Sequence, residues 1–482
     1  MTLSTPIRRI AVIGGGPSGI AAVKYLLAEN CFDTIDVFER RSTLGGVWHH
    51  GPGSLKETLP VPVPQVSPNV PAEDPIWLPK ESPPENQQPT FISPVYDTLD
   101  ANLPKELMRY GDKPFLPSIQ DFAPHDAVLR YVKEYGEDIT GHVQFETEVI
   151  DVRKDGKDSA GWRVATKSLR TGDTRTNFYD AVVAASGHFD VPYLPDIPGI
   201  YGWNKDYPGV ITHSKFYNSP APFTDKKVIV IGSSASGLDI GNQINEVSKG
   251  KVLASQRSVT TATDKAYYPE IVEFLSPDSH DRAVQFADGR IEHDIDAIVF
   301  CTGFFYSFPF LSSLPIITDG RRVHNIYQHL FYIRDPTLAF PVLPQRIIPF
   351  PLSENQAAAF ARVWSQRLSL PSTSEMEAWE ASRVAEKGDS LAFHLMPFPQ
   401  DAEYMNMLHD WTSTAEKRDG LSNGGNGKQC NHWNEKERWM RERVPEMRKA
   451  FFAKGEARRL VKTLEELGYD YESWRNEQEH LP

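Results

Sequence analysis

Ile10-Ala11-Val12-Ile13-Gly14-Gly15-Gly16-Pro17-Ser18-Gly19 runs four apolar residues into a glycine-rich turn. An apolar-periodic stretch with Ile20, Val23, Tyr25, Leu26 and Leu27 follows. Strand, glycine turn and helix in that order predict a dinucleotide-binding β–α–β unit. Gly14 permits the tight turn, Gly16 lets the backbone approach a pyrophosphate, and Gly19 lets the helix pack close to the strand. Pro17 and Ser18 fall in the first helical turn, whose free N–H groups and positive dipole end favour phosphate. The next strand, Ile35-Asp36-Val37-Phe38-Glu39, ends in a carboxylate 20 positions past Gly19. A carboxylate there accepts ribose hydroxyls and repels a 2′-phosphate, so the site is expected to hold FAD or NAD rather than NADP.

The same grammar returns at Val228-Ile229-Val230-Ile231, followed by Gly232-Ser233-Ser234-Ala235-Ser236-Gly237 and a helix carrying Leu238, Ile240, Ile244 and Val247. Here Ser234 replaces the middle glycine. The second strand of this unit ends in Ser255-Gln256-Arg257 without an acid. A serine hydroxyl and a guanidinium suit a 2′-phosphate, so NADP is favoured over NAD. Two dinucleotides in one chain imply electron transfer between them. The expected fold is α/β, with two Rossmann-like domains and the smaller NADP domain (213–315) inserted into the larger FAD domain (1–212 and 316–482). Residues 51–92 are proline-rich and predict a long surface loop. Residues 145–186 alternate like strands, the chain beyond about 320 reads as largely helical, and 419–429 reads as a flexible loop.

Composition narrows the partners. A net charge of −13 speaks against nucleic acid or an anionic membrane surface. Three cysteines, Cys31, Cys301 and Cys430, form no CxxC, which excludes a zinc ribbon and a disulfide reductase of that type. No metal site is expected, and a reducing, cytoplasmic setting fits. No apolar run reaches the length of a membrane anchor. The oligomeric state is open, a homodimer included.

Between the two units lies Tyr207-Pro208-Gly209-Val210-Ile211-Thr212-His213-Ser214-Lys215-Phe216-Tyr217. It resembles the aromatic-x-Gly-x₃-His-x₃-aromatic fingerprint of the class B flavoprotein monooxygenases. Tyrosine at its end makes it similar to the flavin-containing monooxygenase branch rather than the Baeyer–Villiger branch. Tyr207 and Asn218 depart from the phenylalanine and basic residue usual at those positions. Other stretches agree: Glu39-Arg40-Arg41 with Gly45-Gly46-Val47-Trp48, Tyr96 through Asn102-Leu103-Pro104 to Met108, and Ser186-Gly187-His188-Phe189. Cys301-Thr302-Gly303-Phe304 and Pro349-Phe350-Pro351 through Glu354 to Gln356 complete the likeness over residues 8–410, closest in kind to the soluble fungal and yeast members.

The resemblance implies an enzyme using FAD, NADPH and O2. NADPH reduces the flavin, reduced flavin and dioxygen give a C4a-hydroperoxide, and a small nitrogen or sulfur nucleophile, of the N,N-dimethylaniline type, takes the distal oxygen. It implies Asn102 beside the flavin N5 edge. It implies flavin contacts at Glu39, Arg40, Gly46, Val47, Trp48 and Gln356, and NADP contacts at Tyr217, His188 and the second loop. His213 is assigned to communication between the domains. Two alternatives stay open: a Baeyer–Villiger ketone monooxygenase, and an NADPH oxidase or non-catalytic dinucleotide-binding flavoprotein.

Overall fold

The computed structural model describes residues 5–154, 156, 161–256 and 264–479. The first stretch forms β1 (Arg9–Ile13), α1 (Pro17–Leu27), β2 (Thr34–Phe38), α2 (His125–Tyr135), β3 (Val143–Gln144) and β4 (Ala181–Ala184). The middle forms β5 (Ile211–His213), β6 (Val228–Ile231), α3 (Ala235–Asn245), β7 (Leu253–Ser255), β8 (Ala266–Tyr268) and β9 (Ala297–Phe300). The last third contributes β10 (Ile326–Tyr327), β11 (Phe331–Tyr332) and β12 (Leu338–Ala339). The helices α4 (Pro349–Trp364), α5 (Gln400–Ser413) and α6 (Glu435–Ala453) follow.

These strands make two sheets, ordered β10-β11-β12-β4-β1-β2-β3 and β5-β9-β6-β7-β8. The second is parallel throughout. The first is parallel from β12 to β3 and antiparallel at its β10–β11 edge. Buried parallel strands are covered on both faces, which is why β1, β4, β6 and β9 are near-continuous apolar runs. Every strand of the second sheet lies between β4 and β10 in sequence, so the smaller α/β unit interrupts the larger one. A three-stranded antiparallel meander, Thr147–Lys154, Trp162–Ser168 and Thr174–Tyr179, precedes β4.

Helix α4 packs against α1 and is buried on nearly every side from Phe350 to Trp364. A helix buried on all sides, here with Ser353, Glu354, Asn355, Gln356 and Arg362 among its buried residues, is a central helix, and this one joins the last third of the chain to the first domain. Two expectations change here. Residues 326–327, 331–332 and 338–339 are strands, not helix; each is two residues long, too short to show alternation, and they join the sheet through β12, which pairs with β4, then β11 and β10. The 419–429 loop is pinned rather than free: Arg362 donates to the Lys428 carbonyl (2.9 Å) and Arg367 to the Asn426 carbonyl (3.2 Å).

Candidate functional site: two nucleotide loops

The two glycine loops have the same backbone. The Gly14 N–H donates to the Phe38 carbonyl (2.8 Å) and the Gly232 N–H to the Ser255 carbonyl (3.0 Å), each at the end of the neighbouring strand. Both glycines hold φ above +100°, +105° and +114°, where a side chain is strained. A Cβ on Gly14 would stand 2.5 Å from the Ala185 carbonyl oxygen, and one on Gly232 2.5 Å from that of Cys301. Gly19 and Gly237 repeat the match, with virtual Cβ atoms 1.9 and 2.0 Å from the carbonyls of Gly14 and Gly232. That leaves room for no side chain where each helix crosses its own loop.

The middle positions share a backbone conformation and differ in what lies over them. Gly16 caps α1 at φ −79° and ψ −177°, and Ser234 caps α3 at φ −83° and ψ −174°, a conformation open to any residue. At Gly16 a second backbone packs close: a Cβ on Gly46 (φ +56°) would lie 2.8 Å from the Gly16 Cα, so the approach demands glycine at Gly46, while a Cβ on Gly16 would meet the Gly46 Cα at an ordinary 3.4 Å. Ser233, Ser234, Ala235 and Ser236 are exposed instead. No side chain among the described residues caps either helix, so both N-termini keep first-turn N–H groups for a pyrophosphate. The residues present therefore fit two dinucleotides.

Around the first loop, Glu39 is buried and accepts from the Gly15 N–H (2.7 Å) and the Arg41 N–H (2.8 Å). Each carboxylate oxygen retains a second lone pair for a ribose hydroxyl. Arg40 pairs with Asp190 (2.9 Å) and lies over the Phe91 ring. Val47 offers its carbonyl to the Ser93 hydroxyl, and Trp48 meets Phe350 of α4 edge to face at 6.4 Å. Just beyond, Arg41, Thr43 and His49 on one side and Leu78, Lys80 and Gln88 of the proline-rich segment on the other enclose a cavity of about 690 Å3.

The remaining predicted residues divide. Ser255 is buried and its hydroxyl donates to the Pro269 carbonyl (2.9 Å), so its proton holds the chain after β8 rather than facing a phosphate. Arg257 lies outside the described residues. His213 ends β5, fully buried against Phe304, with Nδ1 accepting from the Lys215 amide (3.1 Å). Burial takes its pKa down to about 3, which keeps it neutral at the sheet's junction with the Cys301–Phe304 linker. His188 is also buried, packed on Tyr306. Tyr217 is buried with its hydroxyl on Gln243 (2.9 Å), and Gln356 sits inside α4, bonded to the Val342 N–H (2.6 Å) and the Tyr404 hydroxyl (3.1 Å). Asn102 stands apart: Ala101 and Leu103 on either side are buried, while Asn102 is exposed.

Sequence reasoning missed Lys56. It is 3% exposed, on the short helix Gly53–Thr58, and donates to the carbonyls of Val95 and Tyr217. Burial first, and the Lys215 charge after it, bring its pKa down to about 7, with Asp97 opposing. The folded state then binds fewer protons than the unfolded chain between about pH 7 and the ordinary lysine value, so stability rises with pH across that window. Lys56→Met is expected to flatten this rise, read as urea midpoints at pH 7 and 9; an unchanged slope would contradict it.

On the C-terminal surface His409, Asp410 and His432 bring three ligand-type atoms within 4.8 Å of one another. No helix among the described residues is long and apolar enough to cross a membrane.

Comparison with known proteins agrees with this geometry. Residues 84–276 and 269–421 match the model of the flavin-binding monooxygenase-like family, and 12–57 that of an NAD(P)-binding Rossmann-like domain. A thiol-specific monooxygenase of Saccharomyces cerevisiae is 31% identical over 86% of this chain and 87% of its own length. The flavin-containing monooxygenase FMO GS-OX-like 2 of Arabidopsis thaliana is 34% identical over 84% and 85%. Among solved structures, the S-allyl-L-cysteine S-oxygenase of Allium sativum superposes with a TM-score of 0.74 at 29% identity, covering 99% of this chain and 100% of that one. The chain thus belongs to the flavin-binding monooxygenase-like family, and with its paired nucleotide loops it is a flavoprotein monooxygenase working with FAD, NADPH and O2.

Proposed function

We propose that the chain is an NADPH-dependent S-oxygenase that transfers one oxygen atom of O2 to a small thiol or thioether. The observation that carries the redox half of this reading is the pair of superposable glycine loops, one closed over by Gly46 and the other open at Ser233–Ser236. The closed loop, with Glu39 and Arg40 at its ribose end and Val47 and Trp48 beyond, is the FAD site. The open loop is the NADPH site, with Arg257 as the cation for the 2′-phosphate. Bound flavin supplies the hydride acceptor and the activation of dioxygen.

The chain's residues bind, orient and shelter. The α1 and α3 N-termini hold the pyrophosphates. Asn102 presents an amide that both donates and accepts without adding charge beside the flavin. His213, kept neutral by burial, adds no charge between the two sites. The balance is NADPH, H⁺, O2 and R–S–R′ giving NADP⁺, R–S(=O)–R′ and water.

Sulfur is favoured because two relatives similar over most of their length are named for thiols and for S-allyl-L-cysteine. The test offers the purified protein methyl phenyl sulfide, N,N-dimethylaniline and cyclohexanone with NADPH. Sulfoxide formation well ahead of N-oxide, with no lactone, is expected. N-oxide as the main product would restore the amine reading drawn from the sequence, and lactone would restore the Baeyer–Villiger one.

A further inference from the structure

The helix behind the second loop reaches beyond its own sheet. Asp239, seven residues past Gly232 on α3, is 8% exposed and accepts from the Tyr96 hydroxyl. One turn on, the Gln243 amide oxygen accepts from Thr98 (2.7 Å) and from Tyr217 (2.9 Å), and its nitrogen lies 3.4 Å from Asp239. The Tyr96 and Tyr217 rings meet edge to face at 5.2 Å. Burial, and after it the Asp239 charge, push the Tyr96 phenol up, so it stays the donor.

The C-terminal region grips the same segment. Arg458 donates to Asp100 Oδ2 (3.2 Å), whose other oxygen takes the Gln120 amide (2.7 Å). Arg448 of α6 stands 3.7 Å from Asp239. Tyr96, Thr98 and Asp100 are thus each held by a group from another part of the fold. The segment they anchor leads directly to the exposed Asn102.

We propose that this clasp, Asp239 and Gln243 on Tyr96 and Thr98 with Arg458 on Asp100, is a positioning device that ties occupancy of the second nucleotide loop to the placement of Asn102. It rests on the reading of that loop as the NADPH site and of Asn102 as flavin-facing. A pyrophosphate on the α3 N-terminus orders the first turns of that helix, and Asp239 lies in the second. Ordering there is transmitted through a buried, charge-assisted hydrogen bond to a segment that carries the amide. Residues 96, 98 and 100 are positioning residues; none of them touches the reacting atoms.

The test uses the FAD-loaded full chain and two readouts. Amide hydrogen exchange over residues 96–103 is followed with and without NADP⁺, and hydrogen peroxide per sulfoxide is measured with methyl phenyl sulfide. Tyr96→Phe keeps the ring and its contact with Tyr217 and removes only the donor. In the unaltered protein NADP⁺ is expected to slow exchange in the segment about tenfold, as ordering of a locally opening unit does. In Tyr96→Phe the slowing is lost while NADP⁺ still binds, and the peroxide-to-sulfoxide ratio rises about tenfold, a loss typical of a misplaced group. Arg458→Gln, which reaches the segment from the opposite side, is expected to raise the ratio too and serves if Tyr96→Phe misfolds. Equal slowing and an equal ratio in the variants and the unaltered protein would overturn the clasp. Asn102→Leu separates the layers: if it raises the ratio while the clasp variants do not, only the clasp falls. If it leaves the ratio unchanged, the reading of Asn102 falls and the clasp with it.

Discussion

Gly14→Ala is expected to yield colourless protein, and Gly232→Ala yellow protein that NADPH no longer reduces. Both substitutions put a methyl group 2.5 Å from a backbone carbonyl oxygen, at φ +105° and +114°. A strained backbone of this kind costs about 1–3 kcal/mol before the clash is counted. Neither neighbour is the movable end of a side chain: Ala185 follows β4 and Cys301 follows β9, both inside a sheet. The loop must therefore shift away from the strand, carrying the helix N-terminus out of register with the pyrophosphate. The two effects separate because the loops belong to different sheets. Flavin absorbance after purification reads the first loop. Reduction by NADPH, compared with reduction by dithionite, reads the second. A yellow Gly14→Ala protein would remove the first assignment, and normal NADPH reduction in Gly232→Ala would remove the second.

Arg367→Met is expected to cost about 3–5 kcal/mol of stability, the range for removing one partner of a buried ion pair. Arg367 and Glu29 face each other through two 2.8 Å contacts, with side chains 2% and 3% exposed. Ser365 also donates to Glu29 (2.7 Å), and Arg367 donates to the Glu416 carbonyl (2.6 Å). The pair ties the end of α1 to the turn after α4 and to the loop at 416–427, three parts of the chain distant in sequence. Methionine fills similar volume but leaves the Glu29 charge buried with one hydroxyl for company. Adding Glu29→Gln removes that charge and is expected to recover part of the loss, a coupling read from urea midpoints of the two single variants and the double. A midpoint for Arg367→Met near that of the unaltered protein would contradict the argument.

The two loops were legible because their glycines answer to backbone geometry, which local sequence encodes. The change to Ser234 was legible only as a weakening. The structure shows what differs there: the Gly46 backbone packs on Gly16 across about 30 positions of sequence, whereas Ser234 is exposed. Ser255 and Gln356 read as cofactor contacts because their types suit phosphate and flavin. Their partners, Pro269, Val342 and Tyr404, are set by crossovers and helix packing that no short pattern displays. Strands β10–β12 were invisible at two residues each. Nothing in the sequence joined Arg458 to Asp100, 358 positions apart, or Asp239 to Tyr96, 143 apart, since the first link exists only once the C-terminal region docks and the second only once α3 packs against the 96–102 segment.

The central claim is that two bound dinucleotides turn dioxygen into one oxygen atom on sulfur. The measurement closest to it is a single turnover. The yellow protein is reduced anaerobically with one equivalent of NADPH, then mixed with ¹⁸O2 and methyl phenyl sulfide, and the products are weighed by mass spectrometry. The account predicts one ¹⁸O in the sulfoxide for each NADPH consumed, with little hydrogen peroxide. Labelled hydrogen peroxide in place of sulfoxide, or sulfoxide carrying no label, would contradict it.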